Sequence, residues 1–155
     1  MKKLFIFFIT VITLTISSCD SKDDNTIVPP IKTLKATIDG NELIFDTFKV
    51  DKIEDKDEEG NPYTDLIVTA TKTSDASKVI VFNFEYLETG DKTCYFFSYN
   101  DGEKVFVYNL ENKSFVINIS ENVVNKIKGT FTGTIPEEDG ISTILISNGS
   151  FEINY

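Results

Sequence analysis

The sequence predicts an all-β fold: an antiparallel β-sandwich or a flattened up-and-down barrel of about nine strands, after a signal peptide and a short linker. Apolar and polar residues alternate along most of the chain beyond the linker, turn residues recur every ~8 to 15 positions, and no segment sustains the 3.6-residue period of a helix. Sequential hairpins favour the up-and-down arrangement. The expected strands are 34–39, 42–50, 64–73, 78–87, 92–99, 103–110, 114–120, 126–135 and 141–155, the last with a break at Gly149.

The strand periodicity is clearest at 126–135 (KIKGTFTGTI), where isoleucine, phenylalanine and glycine occupy one face and lysine and threonine the other. The same alternation appears at 80–86, 115–119 and 150–155. These segments are expected to be half-exposed strands that cover a core with one face. The best helical candidate, 121–128, is rich in β-branched residues and should form at most one helical turn.

Short turn signals separate the alternating runs. Asp39-Gly40 and Asp101-Gly102 each stand between two such runs. Glycine adopts left-handed backbone conformations without penalty, and aspartate tolerates them. Asp-Gly between alternating apolar runs is among the strongest local signals for a hairpin, so sequential strands are expected to pair antiparallel.

The composition narrows the function. The chain has a formal net charge of -10 and contains no histidine and no arginine. Because phosphate binding needs cationic side chains, this acidity argues against a nucleic-acid partner. Without histidine there is no Ser-His-Asp or Cys-His arrangement and no imidazole metal site. We therefore predict no enzyme activity and no cofactor. A hydrolase would have to rely on a carboxylate pair, and none of the 25 acidic residues sits in a recognisable motif.

Residues 1–18 have the features of a signal peptide. Two lysines precede an uncharged apolar run at 4–16, which is shorter than the ~20 residues that a membrane-spanning helix needs. The sequence ISSC at 16–19 resembles a bacterial lipobox, which implies cleavage before Cys19 and its lipidation. A disulfide with Cys94 is the alternative, but Cys94 lies in the apolar run CYFFSY and is expected to be buried and inert.

Residues 19–32 are expected to form a lipidated tether. A lysine and two aspartates close to the lipidated cysteine resemble the export signal that sends Bacteroidota lipoproteins to the outer face of the outer membrane. These residues are Lys22, Asp23 and Asp24. A periplasm-facing lipoprotein with an acidic tether is the alternative. Pro29-Pro30 favours an extended spacer, so the all-β domain should occupy 33–155.

The segment 51–65 is the most charged stretch of the chain and a candidate metal site. Asp55, Asp57 and Glu59 imitate the opening of a calcium-binding loop. The twelfth position of such a loop would be Leu66, which cannot supply the bidentate carboxylate that calcium requires there. A solvated hairpin loop without metal is the alternative.

The aromatic run at 95–99 (YFFSY) and the neighbouring segment 106–108 (FVY) are the candidate ligand-binding surface. Tyr95, Tyr99 and Tyr108 each offer a ring face and a hydroxyl group, as glycan and lipid sites often do. A central pair of strands buried on both faces explains the same run without a ligand.

The start of the domain, ATIDGNELIFDTFKV, and its end, KGTFTGTIPEEDGISTILISNGSFEINY, resemble the uncharacterised small lipoproteins of Bacteroidota. The shared motifs are turns and core-facing positions, so the resemblance implies an all-β lipoprotein and supplies no catalytic residues. We expect a lipoprotein of the outer membrane, held by its N-terminal lipid and facing the cell surface. It would act as a binding module for a glycan, a small apolar ligand or a protein. The alternatives are a lipocalin-like carrier of a small apolar ligand and a histidine-free, carboxylate-dependent hydrolase.

Overall fold

A computed structural model describes residues 32–109 and 113–155, and within these ranges the chain forms ten β-strands and no helix. Accordingly, this part of the chain contains no helix that could cross a membrane. The all-β prediction is confirmed. The strands are β1 Lys32–Ile38, β2 Asn41–Phe45, β3 Thr47–Lys56, β4 Pro62–Lys72, β5 Asp75–Glu85, β6 Cys94–Asn100, β7 Val105–Asn109, β8 Phe115–Val123, β9 Lys126–Pro136 and β10 Thr143–Asn154.

The strands form two antiparallel sheets of five strands each. Sheet A has the order β2-β1-β10-β9-β8, and sheet B has the order β3-β4-β5-β6-β7. Strands that follow one another in the chain are neighbours within each sheet, as the hairpin signals predict, and β1 also pairs with β10. The two sheets pack face to face around one core. The fold is therefore a β-sandwich. The flattened barrel, which was the other architecture compatible with the sequence, is not formed by the described residues.

Asp46 alone separates β2 from β3 and carries the chain from sheet A to sheet B. Its N–H donates to the carbonyl oxygen of Thr71 at 3.2 Å, and its carboxylate accepts a hydrogen bond from the N–H of Thr73 at 2.8 Å. The single strand predicted at 42–50 is therefore two strands in different sheets. The predicted break at Gly149 is instead a register shift within one continuous β10.

The segment predicted as the best helical candidate is a tight hairpin. β8 ends at Val123 and β9 begins at Lys126, so only two residues connect them. Asn125 has a φ of 67°, in the left-handed region that asparagine tolerates better than most residues. The connection is a reversal between strands, and it contains no helical turn.

Phenylalanine rings fill the space between the sheets. Phe82 lies at the centre of this packing, fully buried, with its ring centroid 5.0 to 5.4 Å from those of four other rings. Those four rings belong to Phe84, Phe97, Phe131 and Phe151. Tilted and edge-on contacts of this kind add to the stabilisation that comes from burying apolar surface.

Two glycines make room for two of these rings. In the pairing of β9 with β10, Gly149 lies opposite Phe131 and Gly129 lies opposite Phe151. A Cβ atom on Gly149 would come within 2.5 Å of the Phe131 ring, and one on Gly129 within 2.7 Å of the Phe151 ring. Each ring therefore covers the glycine of the neighbouring strand. The alternation of glycine and phenylalanine in the sequence is a packing requirement.

Cys94 is free and almost completely buried. Its thiol donates a hydrogen bond to the carbonyl oxygen of Phe96 at 3.2 Å, and burial raises the pKa of the thiol. A thiolate forms with difficulty in such surroundings. The prediction of a buried Cys94 is confirmed.

Candidate functional site

The structure does not bring the three candidate tyrosines together. Tyr99 and Tyr108 point into the core, where they are 2% and 6% exposed, and the Tyr108 ring packs 5.2 Å from that of Phe115. Burial raises the pKa of Tyr99 to about 12, with a further contribution from Asp101. Tyr95 is half-buried and lies on the outer face of sheet B, the face that points away from the core. Neither a three-tyrosine platform nor a strand pair buried on both faces is present.

A register shift explains the position of Tyr95. Asn83 pairs with Phe96, whereas the next residue of β5, Phe84, pairs with Cys94. Tyr95 is the extra residue of this β-bulge, and bulges redirect side chains. Because of it, Cys94 and Phe97 both face the core, while Tyr95 and Phe96 lie on the outer face of sheet B.

The outer face of sheet B carries an apolar patch. Most of its residues are half-buried and alternate along their strands with core residues, while Ile53, near the end of β3, is 44% exposed. Register pairing places them on neighbouring strands of one surface. We call this surface the sheet B patch, and it consists of Ile53, Ile67, Val79, Val81, Phe96, Val105 and Val107.

The amide of Asn83 lies within the sheet B patch, between Ile67 and Phe96 in the strand register. Its Oδ1 atom is buried and has no hydrogen-bond partner among the described residues. An unsatisfied carbonyl oxygen costs about 1–3 kcal/mol, and most proteins avoid it. The patch therefore holds a polar group that no residue in 32–109 or 113–155 satisfies.

One end of the sheet B patch carries two tyrosines beside carboxylates. Tyr63 is 40% exposed, and its hydroxyl donates to Oδ2 of Asp55 at 3.5 Å. The negative charge of Asp55 raises the pKa of Tyr63. Burial and then Asp65 raise the pKa of Tyr95. Sequence reasoning missed Tyr63 and Asp65, although their spacing of two along PYTDL indicates a shared strand face.

The candidate metal residues belong to the β3–β4 hairpin, which is longer than predicted because its strands run to Lys56 and from Pro62. Asp57 organises the turn. Its Oδ1 accepts hydrogen bonds from the N–H groups of Glu59 and Asn61 at 2.9 and 2.8 Å. The side-chain amide of Asn61 also donates to Asp57 Oδ2 at 3.0 Å, and this contact, followed by the backbone ones, lowers the pKa of Asp57.

The hairpin does not assemble a metal-binding group. Asp55 accepts hydrogen bonds from the Lys56 N–H and the Tyr63 hydroxyl. No set of three or more His, Cys, Asp or Glu side chains that could hold a metal ion occurs in residues 32–109 and 113–155. Here the carboxylates of Asp55 and Asp57 act as hydrogen-bond acceptors within a hairpin.

Two surface depressions outside the sheet B patch are less promising as ligand-binding sites. One of about 410 Å³ lies over sheet A and is lined mainly by uncharged polar side chains such as Asn118, Thr130 and Thr132. Another of about 270 Å³ lies at the β1–β2 turn, beside Tyr99 and Lys78. The Lys78 amine is already bound there, 3.2 Å from the carbonyl oxygen of Asp101 and 3.4 Å from a carboxylate oxygen of Asp75. These contacts of Lys78 stabilise the turn at Asp101.

The residues predicted for lipidation and export lie outside the described part of the chain. They are Cys19, Lys22, Asp23 and Asp24. Comparison with protein-family models, with curated protein sequences and with solved structures finds no match. The functional argument therefore depends on the sequence and on the geometry of the sandwich.

Proposed function

We propose that the protein is a lipid-anchored binding module on the outer surface of the outer membrane, and that the outer face of sheet B is its binding surface. The sheet B patch is the observation that carries this proposal. Contiguous apolar surface on a folded domain marks interaction sites, because its burial against a partner is favourable.

The contrast between the two outer faces supports the choice of sheet B. On sheet A the large exposed apolar side chains are Ile44, Val116, Val123 and Leu145. In the strand register each has polar residues opposite it, as Val116 faces Thr132 and Leu145 faces Thr134. The residues of the sheet B patch also face polar residues directly, but they adjoin one another on the diagonals, as Val81 adjoins Ile67 and Phe96. Isolated apolar residues are normal on a protein surface, whereas a contiguous patch is not.

The filled core supports a surface-binding role over a lipocalin-like carrier. A carrier encloses its ligand in a space between the strands. In this sandwich the rings around Phe82 occupy that space. A hydrolase is also less well supported, because the carboxylates of Asp55 and Asp65 lie on an open strand face and not in a water-excluding cleft.

The anchor follows from the lipobox-like sequence before Cys19. Two or three acyl chains hold a protein firmly in a membrane, since each buried CH₂ contributes ~0.8 kcal/mol. The segment 20–31 can span at most roughly 40 Å when fully extended. That reach lets the sandwich sit clear of the lipid headgroups while it stays bound to the membrane.

Replacing Cys19 with alanine should release the protein from the membrane fraction. Without the thiol no acyl chain can be attached, and the described part of the chain has no membrane-spanning helix that could replace the anchor. Fractionation followed by immunoblotting measures the effect, and Cys94→Ala serves as the matched control. Retention of the Cys19→Ala variant in membranes would contradict the anchor.

A photo-crosslinking experiment tests the binding surface. We expect p-benzoyl-phenylalanine at Val107, in the sheet B patch, to give a discrete crosslinked product in cells that make the full chain. The same group at Thr130, exposed on the outer face of sheet A, should not. Adding Phe96→Ser should remove the product at Val107. Equal products from both faces, or a product at Thr130 alone, would overturn the assignment of the binding surface.

A further inference from the structure

The charged side chains on the outer face of sheet A sum to no net charge, since three lysines oppose three glutamates: Lys35, Lys126 and Lys128 against Glu42, Glu121 and Glu152. Lys126 lies 2.9 Å from a carboxylate oxygen of Glu121 and 3.3 Å from one of Glu152. Lys128 lies 3.3 Å from the other carboxylate oxygen of Glu152. Glu121 and Glu152 each have a cation of the same face beside them.

The outer face of sheet B is not balanced in this way. Lys49 pairs with Asp51 at 2.7 Å. The other acidic side chains of the face form no salt bridge with any residue in 32–109 or 113–155. We call these three residues the acidic rim, and they are Asp55, Asp65 and Glu85.

Two carboxylates of the acidic rim lie side by side. Asp65 and Glu85 are opposite one another in the β4–β5 register, and both alternate with core residues, so their side chains share the outer face. Like charges placed directly opposite on neighbouring strands are destabilising. A cation bound between them would remove that repulsion.

We propose that the partner of the sheet B patch is a cationic polypeptide segment, whose lysine or arginine side chains pair with the acidic rim while its apolar side chains cover the patch. The inference rests on the proposed function and adds the chemistry of the partner. Charge complementarity carries it: the face combines apolar area with unbalanced negative charge. The net charge of the whole chain, -10, attracts such a partner from a distance.

Tyr63, which is exposed, and Tyr95, which is half-buried, fit the same partner. A lysine or arginine cation is attracted to the face of an aromatic ring within ~6 Å. The protein already shows such a contact, because Lys52 Nζ lies 3.9 Å from the centroid of the Tyr86 ring. Tyr63 and Tyr95 present rings beside Asp55 and Asp65, so ring and carboxylate can contact one cation together.

The aliphatic part of a cationic side chain explains why apolar and acidic surfaces adjoin. Lysine and arginine bury their methylene stems along apolar surface while the charged end reaches a polar group. On sheet B the pair Asp65 and Glu85 lies next to the pair Ile67 and Asn83 on the same face, two residues further along each strand. A bound segment can therefore place its methylene stems on the patch and its cations on the acidic rim.

A binding titration tests the inference on the full chain purified in detergent. The probe is a fluorescein-labelled short peptide of alternating lysine and leucine, and a peptide of alternating serine and leucine is the neutral control. Fluorescence anisotropy should show tighter binding of the cationic peptide, and its affinity should fall as salt is raised. The triple variant Asp55→Asn, Asp65→Asn, Glu85→Gln should weaken that binding about tenfold, as expected for three partly exposed charge pairs.

A second triple variant serves as the matched control. Glu42→Gln, Glu88→Gln, Asp91→Asn changes the net charge equally at exposed residues off the patch, on β2 and on the connection whose Gly90 pairs with Ile119 of sheet A, and it should leave the affinity within about twofold of the wild type. If both triple variants weakened peptide binding equally, the acidic rim would not be the site that pairs with the cations. Salt-independent binding that Phe96→Ser removes and the rim triple does not would overturn the cationic partner while leaving the binding surface intact. Binding that none of these variants changes would overturn both.

Discussion

Replacing Phe82 with alanine should lower the free energy of unfolding by about 3–5 kcal/mol, the range for removing a fully buried phenylalanine. The loss combines the transfer of the ring from the core to water with the cavity that it leaves. Four neighbouring rings contact Phe82 from both sheets, so the cavity cannot close by a small shift of one strand. Denaturant titration followed by circular dichroism measures the change.

The control for this prediction is Phe96→Ala. Phe96 has the same side chain on the same sandwich, but it is half-exposed on the outer face of sheet B. Its removal should cost roughly 1 kcal/mol, because part of the ring is already in contact with water. Equal destabilisation by the two variants would mean that the core does not depend on Phe82 in the way that the ring contacts indicate.

Replacing Gly149 with alanine should destabilise the protein by about 1–3 kcal/mol, the usual range for an overpacked core, and this is a large effect for one methyl group. The new Cβ atom would lie 2.5 Å from both the ring and the carbonyl oxygen of Phe131. A side chain can rotate away from such a contact, but a backbone oxygen in a β-ladder cannot do so without breaking its hydrogen bonds. Thermal unfolding of the variant measures the effect.

Ser150→Ala is the matched control for Gly149→Ala. Ser150 is the next residue of β10 and faces away from the core, so the loss of its hydroxyl should change the free energy of unfolding by less than about 0.5 kcal/mol. If Gly149→Ala were as stable as Ser150→Ala, the close packing of the Phe131 ring against β10 would have to be abandoned.

Local alternation was sufficient to predict most of the fold. The face of β9 that carries Ile127, Phe131 and Ile135 is buried as the sequence indicates. The crossing at Asp46 was not predictable in this way, because the groups that hold it are Thr71 and Thr73, which lie far along the chain. Period-2 alternation shows which residues share a face and does not show where a strand leaves its sheet.

The candidate site was harder to predict for a related reason. Strict alternation along β6 places Tyr95, Phe97 and Tyr99 on one face. The β-bulge opposite Phe84 breaks the alternation and moves Tyr95 to the outer face. Both faces of this strand are apolar, so its composition gave no sign of the change. The acidic rim draws its residues from three strands and depends on the register between them.

The position of β1 has a mechanical consequence. β1 lies between β2 and β10 and is paired with both, and the tether enters the sandwich at its first residue, Lys32. With the proposed lipid anchor in the membrane, a partner that pulls on sheet B would load β1 through its first residue. Force along β1 would be shared by two ladders of hydrogen bonds, one to β2 and one to β10. The strand that would receive the load from the proposed anchor is thus held on both sides.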